Sequence, residues 1–239
     1  MGRAFEVRKA AMAKTSAAKS KVYAKFGKEI YMAAKNGEPD IDMNVNLKRV
    51  VEKAKSNQVP ADVIKRAIEK AKGSSKENFE YILYEGFSVG GSQVMVECLS
   101  DNVNRTISEV RNCFTKTDGK VGVSGSLQHL FLHVAMFVFK GFNDEDQILE
   151  CLMENDLEYI ELELDSDLVT IQCELSLYNS MRKALETLSD NIEFEMSEIV
   201  WVPNTYIKLN EEDRVKFEKL MNMLDECEDV QDIYHNVEE

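Results

Sequence analysis

Hydrophobic positions in the first third of the chain recur at the spacing of an α-helix. One helix is predicted over residues 15–36, ending at Gly37, a residue that tolerates positive φ. Two more are predicted over residues 45–55 and 60–73, the latter with Pro60 in its first turn. Their inward faces are formed by Tyr23, Phe26, Ile30 and Ala33, by Leu47, Val50, Val51 and Ala54, and by Ile64, Ala67, Ile68 and Ala71. The sequence therefore predicts a helical domain in residues 1–77.

After residue 78 the pattern changes to buried strands that alternate with amphipathic helices. Residues 92–100 predict a strand, residues 102–114 a helix, and the glycine-punctuated residues 120–126 a turn or strand. Residues 130–202 then predict a strand, a helix capped by Asn143, a hairpin closed by an Asp-Ser-Asp turn, a second helix and a final strand. This βαββαβ order is typical of a ferredoxin-like unit.

The remaining residues predict one strand, one helix and a terminal strand, which cannot enclose a core by themselves. They need the strand and helix of residues 78–129, so residues 130–202 are predicted to be an insertion. The predicted fold class is α+β with three domains. These are an N-terminal helical bundle (1–77) and two α/β, ferredoxin-like domains, the middle one (78–129 plus 203–239) and the one inserted into it (130–202).

The charge is distributed unevenly along the chain. The 239 residues carry a net charge of −14. Residues 1–77 contain 18 Lys/Arg and 9 Asp/Glu, a net charge of +9, which leaves −23 on residues 78–239. A basic domain attached to an acidic body predicts that one end binds a polyanion while the rest is repelled by it. The alternative is that the lysines form an ordinary solvated helix face.

A stripe of lysines follows the first predicted helix. Lys14, Lys21, Lys25 and Lys28 are seven, four and three positions apart, so they share one face, and Lys35 continues it. Such a stripe matches a phosphate backbone, and lysine favours phosphate contact over the reading of bases. The predicted nucleic-acid-binding residues are Arg8, Lys9, Lys14, Lys19, Lys21, Lys25, Lys28, Lys35, Lys48, Arg49, Lys65 and Arg66.

The residue pattern predicts neither catalysis nor a metal or cofactor. The five cysteines are odd in number and contain no CxxC pair, which indicates reduced core thiols. His129 and His133 are four positions apart without further ligands nearby, so a core or edge position is expected. The acidic runs lack the spacing of a calcium loop, and GFSVGG lacks the Lys-Ser/Thr of a phosphate-binding loop. No nucleophile, base and orienting group converge in the pattern.

Membrane and secretion signals are not evident in the residue pattern. No apolar run approaches the ~20 residues that cross a bilayer, and the first residues form no apolar signal core. The sequence predicts a cytoplasmic protein with no membrane partner.

Four segments, in order, carry a resemblance to a known family. They are the start GRAFEVRKAAMAKTSAAKSKVYAKFGKEIYMAAKNGEPD, the block NLKRVVEKAKSNQVPADVIKRAIEKAKG, the turn DNVNRT, and the ending VPNTYIKL with LDECEDVQDIYHN. Together they resemble the YebC/PmpR-like family over nearly the whole chain, and this resemblance implies three domains with the last one inserted. The chain departs from the family pattern at Val89, where many relatives have proline, and in the apolar segment SLQHLFLHVAMFVF.

The resemblance implies nucleic-acid-linked control of gene expression without catalysis. Bacterial members of the family are described as DNA-binding transcriptional regulators, mitochondrial relatives are translational activators, and some bacterial members resemble ribosome-associated translation factors. The resemblance also implies that Arg105, in the DNVNRT turn, contacts RNA or a ribosomal element. From the residues alone, the alternative for this turn is a helix cap formed by Asn102 or Asn104.

Three functions stay open at the level of the sequence. A duplex-DNA-binding regulator of transcription and an RNA- or ribosome-binding translation factor would use the same basic helices. A ligand-sensing ferredoxin-like protein is the third. The expected partners are therefore duplex DNA or ribosomal RNA, including the ribosome itself, and the sequence does not give the oligomeric state.

Overall fold

The computed structural model describes residues 19–73, 78–142, 144–189 and 192–238, with side chains from residue 21 onward. These residues belong to two units. The first contains Gln128–Tyr206, and the second contains the residues up to Leu127 together with Ile207–Val237. A mixed α/β architecture is confirmed, whereas the division into three domains stays a prediction.

Seven helices and eight strands make up the described part of the chain. The helices are α1 (Lys19–Lys35), α2 (Val45–Ser56), α3 (Ala61–Lys72), α4 (Val103–Thr115), α5 (Glu145–Glu154), α6 (Tyr178–Glu186) and α7 (Glu211–Glu226). The strands are β1 (Glu80–Phe87), β2 (Gln93–Ser100), β3 (Lys120–Val121), β4 (Phe131–Lys140), β5 (Glu161–Asp165), β6 (Leu168–Cys173), β7 (Phe194–Pro203) and β8 (Val230–His235).

Helices α1, α2 and α3 confirm the predicted helical bundle. Their apolar faces meet in one core, in which Ile30, Leu47 and Ala54 are fully buried. Asn44 caps α2 by accepting a hydrogen bond from the Leu47 amide at 3.0 Å, which satisfies one of the amides that a helix start leaves unpaired. The bundle is part of the same unit as the sheet that follows it in sequence.

That sheet, sheet A, has the strand order β3-β1-β2-β8, and every pair in it is antiparallel. One face packs against α4 and α7, with Phe114 and Leu220 in its core. On the other face Leu99 packs against Tyr31 and Met32 of α1. Sheet A is therefore covered by helices on both faces, and α1 lies next to β2.

The other unit is built on sheet B, whose antiparallel strands have the order β5-β6-β4-β7. Within its βαββαβ chain order, this places the strands in the sequence 2-3-1-4, which is the ferredoxin-like arrangement. Helices α5 and α6 pack on one face over Phe137 and Ile171. The predicted hairpin is confirmed as β5 and β6.

Two local predictions were wrong. Helix α5 is capped by Asp144, whose carboxylate accepts a hydrogen bond from the Asp146 amide at 3.0 Å, whereas Asn143 lies outside the described residues. The strand expected after residue 204 is reduced to a single bridge between Ile207 and Val237. Only two residues separate Ile207 from Asn210, which caps α7, so the chain enters the helix before a longer strand can form.

Strand β1 needs glycine at one position because it passes directly beneath an aromatic ring. A Cβ on Gly86 would collide with the ring of Phe114, which is fully buried and cannot move aside. We expect Gly86→Ala to reduce the free energy of unfolding by about 2 kcal/mol, measured by urea denaturation. The matched control is Gly27→Ala in α1, where nothing lies within 4 Å of the added atom. Since alanine favours helix, this variant should gain up to about 1 kcal/mol, and equal effects of the two changes would contradict the prediction.

Candidate nucleic-acid interface

The predicted lysine stripe lies on α1, and the structure gives its members different environments. Arg8, Lys9 and Lys14 lie outside the described residues, as does the side chain of Lys19. Lys21 is exposed. The three stripe lysines that follow it on α1 all contact protein groups, and these are Lys25, Lys28 and Lys35.

Lys25 lies against strand β8 and is partly buried. Its Nζ donates a hydrogen bond to the backbone oxygen of Gln231 at 2.7 Å. Burial lowers the pKa of Lys25, and the nearby carboxylates of Asp232 and Asp225 partly offset this effect. Lys53 of α2 donates to Asp232 at 3.3 Å. The inner side of the predicted stripe therefore ties the helical bundle to the edge strand of sheet A.

Lys28 takes part in a junction around the buried carboxylate of Asp229, which directly precedes β8. Lys28 Nζ and Arg105 bind this carboxylate at 2.8 and 2.7 Å. Ser100 Oγ at 3.0 Å and Thr106 Oγ1 at 2.7 Å donate to it as well. The Asp229 side chain is only 2% exposed. One carboxylate thus connects α1, the end of β2 and the start of α4, and we call these five residues the Asp229 junction.

The electrostatics of the Asp229 junction favour a charged carboxylate. Burial raises the pKa of Asp229, but the hydrogen bonds from Lys28, Arg105 and Thr106 outweigh it and hold the pKa well below its usual range. The hydrogen bonds from Arg105 to Asp229 and Asp101 raise the pKa of the guanidinium above its ordinary value. Two positive charges and one buried negative charge therefore form a permanent ionic contact at neutral pH.

The DNVNRT turn is the N-terminus of α4, and the cap predicted for it is confirmed. Asn102 accepts a hydrogen bond from the Arg105 amide at 3.1 Å. The Arg105 side chain binds Asp101 at 2.8 Å in addition to Asp229, and 45% of it is exposed. The Arg105 guanidinium is thus already bound to two carboxylates of its own chain. Contact of Arg105 with RNA stays a prediction.

The other predicted cations lie on α2 and α3. Lys48 and Lys65 are exposed. The two arginines beside them have partners on their own helices, since Arg49 donates to Asn46 at 3.0 Å and Arg66 binds Asp62 at 2.6 Å. Lys65 lies 4.0 Å from Glu69, an exposed pair of small energetic weight.

The predicted binding residues did not include Lys55 and Lys72, which are exposed on the same helices. The signal that reveals them is an internal repeat, in which LKRVVEKAK at residues 47–55 returns as IKRAIEKAK at residues 64–72. Both copies place a lysine at their second and ninth positions, seven residues and nearly two full turns apart, on one side of the helix. We call Lys48, Lys55, Lys65 and Lys72 the exposed lysine set.

Two family models match the chain in succession. The model of the TACO1/YebC protein N-terminal domain matches residues 3–74, and the model of the TACO1/YebC second and third domain matches residues 79–237. The chain belongs to the TACO1/YebC family. The resemblance found in the sequence is thereby confirmed.

Relatives in the TACO1/YebC family match this chain over its full length. A probable transcriptional regulatory protein of Alteromonas mediterranea is 53% identical over 99% of this chain and 98% of its own. One from Vibrio atlanticus is 49% identical over 100% of both chains. The crystal structure of a conserved hypothetical protein from Aquifex aeolicus is 33% identical, with a TM-score of 0.78 over 95% of this chain and 93% of that one.

The glycine-rich segment and the two histidines noted in the sequence can be located in the structure. The GFSVGG segment joins β1 to β2, and its Gly90 has a positive φ of 63°. His129 and His133 are exposed, and the ring of His133 stacks on Trp201 at 4.1 Å. In the part of the chain that the structure describes, no three His, Cys, Asp or Glu side chains are grouped to hold a metal ion. Within the same residues, no helix has the length and apolar character that crossing a membrane requires.

Proposed function

We propose that this chain is a non-enzymatic regulator of gene expression that binds a nucleic acid through its helical bundle. The observation that carries the proposal is the exposed lysine set, repeated on two neighbouring helices at matching positions. Four flexible ammonium groups suit a phosphate backbone, which attracts them irrespective of base sequence. The proposed site of action is the cytoplasm.

The charge distribution supports the same proposal. Residues 19–73 hold 13 Lys/Arg and 7 Asp/Glu, whereas residues 128–206 hold 3 and 17. A polyanion is attracted to the first segment and repelled by the second. The proposed interface therefore comprises α2, α3 and the exposed Lys21 of α1, while Lys25 and Lys28 support the interface by fixing α1 to β8.

Duplex DNA is the first candidate partner, which makes the protein a DNA-binding transcriptional regulator. This choice rests on the names of its relatives, which are called probable transcriptional regulatory proteins. A second candidate, an RNA- or ribosome-binding translation factor, is favoured by a specific observation. Among the described residues, the arginines of the predicted interface have partners within the chain: Arg49 contacts Asn46, Arg66 contacts Asp62, and Arg105 contacts Asp101. Lysines that contact only phosphate suit structured RNA, which proteins recognise largely by shape.

Sedimentation of a cell lysate through a density gradient separates the two candidates. Samples are treated with a nuclease that removes only DNA, or left untreated, and the protein is followed together with a variant in which the exposed lysine set is replaced by glutamine. For a transcriptional regulator we expect the protein at the top of the gradient and salt-sensitive retention of duplex DNA by the wild type alone. Migration with ribosomal particles that survives the nuclease and is lost in the variant would establish the translation factor instead. Binding to neither DNA nor RNA would refute the proposal as a whole.

A further inference from the structure

Two cysteines from distant parts of the sequence lie next to each other in the second unit. Cys113 is on α4, and Cys227 is the residue at which α7 ends. Their sulfur atoms are 3.7 Å apart, although 114 positions separate them in the chain. A disulfide has an S–S distance of about 2.05 Å, so the sulfurs need to approach by only about 1.7 Å.

We propose that Cys113 and Cys227 form a reversible intramolecular disulfide when the protein meets a small-molecule disulfide. The two cysteines differ in their exposure to solvent. Cys113 is 3% exposed, whereas Cys227 is partly exposed at the end of a helix. Cys227 is therefore the residue that meets the oxidant, and Cys113 is the residue that completes the bond.

The reaction proceeds in two exchange steps. The hydrogen bond with Cys113 raises the pKa of Cys227, so only a minor thiolate fraction of Cys227 reacts, and this step should become faster as the pH rises. That thiolate attacks one sulfur of the small disulfide, which forms a mixed disulfide and releases one small thiol. The Cys113 thiolate then attacks the Cys227 sulfur and releases the second small thiol. The two protons that the protein thiols lose end on the two released thiols. The separation of 3.7 Å between the two sulfurs places Cys113 beside the atom that it attacks in the second step.

The other three cysteines are poor competitors for the oxidant. Cys98, Cys151 and Cys173 are all buried. Burial raises the pKa of Cys98 to about 12 and that of Cys173 to about 11, and the pKa of Cys227 is raised too. Access to the oxidant therefore distinguishes Cys227, because it is partly exposed and the other three are not. Cys151 points to the backbone oxygen of Ala184 at 3.3 Å.

The disulfide would act on the Asp229 junction. Cys227 is two residues before Asp229, and the turn between them is closed by a hydrogen bond from the Val230 amide to the Cys227 oxygen at 3.3 Å. Cys113 is on the helix that carries Arg105 and Thr106. The new bond would join the two elements that hold the carboxylate and its donors, and we expect the oxidised protein to need more urea to unfold.

The test uses the full-length protein, first reduced and then treated with oxidised glutathione. We expect the wild type to lose two hydrogen atoms and to retain no glutathione, with the peptides of Cys113 and Cys227 joined in a digest made without reductant. Cys113→Ala should keep glutathione on Cys227, because the second step is missing. Cys227→Ala should react at neither position. A reductant should restore the mass and the urea midpoint of the wild type.

Several results would overturn the proposal. They are an unchanged wild-type mass, a stable glutathione adduct on the wild type, and a disulfide that involves another cysteine or a second chain. Cys113 is buried, so circular dichroism must show that Cys113→Ala is folded. If it is not, Cys227→Ala decides alone, since loss of the same two hydrogen atoms in that variant would also exclude the assigned pair.

Discussion

Replacing Lys48, Lys55, Lys65 and Lys72 with glutamine is expected to weaken nucleic-acid binding by about a thousand-fold at 0.1 M salt. The reason is that each lysine bound to a phosphate releases counterions from the nucleic acid. A plot of log affinity against log salt concentration is therefore linear, and on duplex DNA each phosphate contact contributes ~0.9 to its downward slope. If all four lysines of the exposed lysine set contact phosphate, their loss should reduce the slope of log affinity against log salt by about 3.6 on duplex DNA. On single-stranded nucleic acid each contact contributes ~0.7, so the reduction should be smaller there. Titration of a labelled duplex and a structured RNA at several salt concentrations measures both quantities.

A control with the same change in charge separates a specific interface from general electrostatics. Lys116, Lys120, Lys183 and Lys219 are also exposed, but they lie outside the helical bundle. Their replacement by glutamine should lower the affinity by less than about ten-fold and leave the salt slope nearly unchanged. Equal losses in the two variants would mean that net charge alone matters. An unchanged affinity in the first variant would exclude α2 and α3 as the interface.

Lys25 and Lys28 are poor positions for such a test because both have internal partners. Lys25 donates to Gln231, and Lys28 binds the buried Asp229. Neutralising them together with Lys21 would combine lost phosphate contacts with a loosened bundle. Lys21→Gln alone examines the outer side of the α1 stripe, since that side chain is exposed.

The helical periodicity predicted the faces of α1 correctly but not what lies opposite them. Lys21, Lys25 and Lys28 are indeed on one helix, yet Asp229 and Gln231 are about two hundred positions away, and no local pattern connects them. A lysine that faces water and one that faces a carbonyl oxygen look alike in sequence. The repeat on α2 and α3 was visible and gives the better guide, because the two copies share the lysines that are exposed in both helices.

The sequence predicted some strands and not others, depending on how regular their hydrophobic pattern is. Sheet B was predictable because β4 is long and apolar, whereas β5 and β7 alternate between apolar and polar residues. Strand β1 escaped prediction because its burial rises along its length, from exposed residues at Glu80 and Tyr81 to buried ones at Glu85 and Gly86. The two buried residues of β1, Glu85 and Gly86, are adjacent in sequence and neither is a large apolar residue. The strand therefore lacks the alternation of apolar and polar residues that marks a half-buried strand.

Asp229→Asn is expected to reduce the free energy of unfolding by about 3 kcal/mol at neutral pH. The amide cannot neutralise Lys28 and Arg105, and it accepts fewer of the four donors that converge on the carboxylate. The control is Asp101→Asn, which removes the other carboxylate bound to Arg105. That side chain is 53% exposed, so its loss should cost less than about 1 kcal/mol. Urea denaturation followed by far-UV circular dichroism gives both values, and equal values would contradict the assigned role of Asp229.

The same carboxylate should make the stability of the wild type depend on acid. The hydrogen bonds that hold the pKa of Asp229 below its usual range act only on the charged form, so the unfolded chain binds its proton at a higher pH than the folded one. The stabilisation is therefore complete above the unfolded pKa of about 3.9 and is lost progressively as the pH falls below it toward the folded value. Asp229→Asn lacks this titrating group, so the difference in unfolding free energy between the two proteins should shrink from pH ~7 to pH ~3. A difference that stays constant over that range would show that the carboxylate acts through its shape and not through its charge.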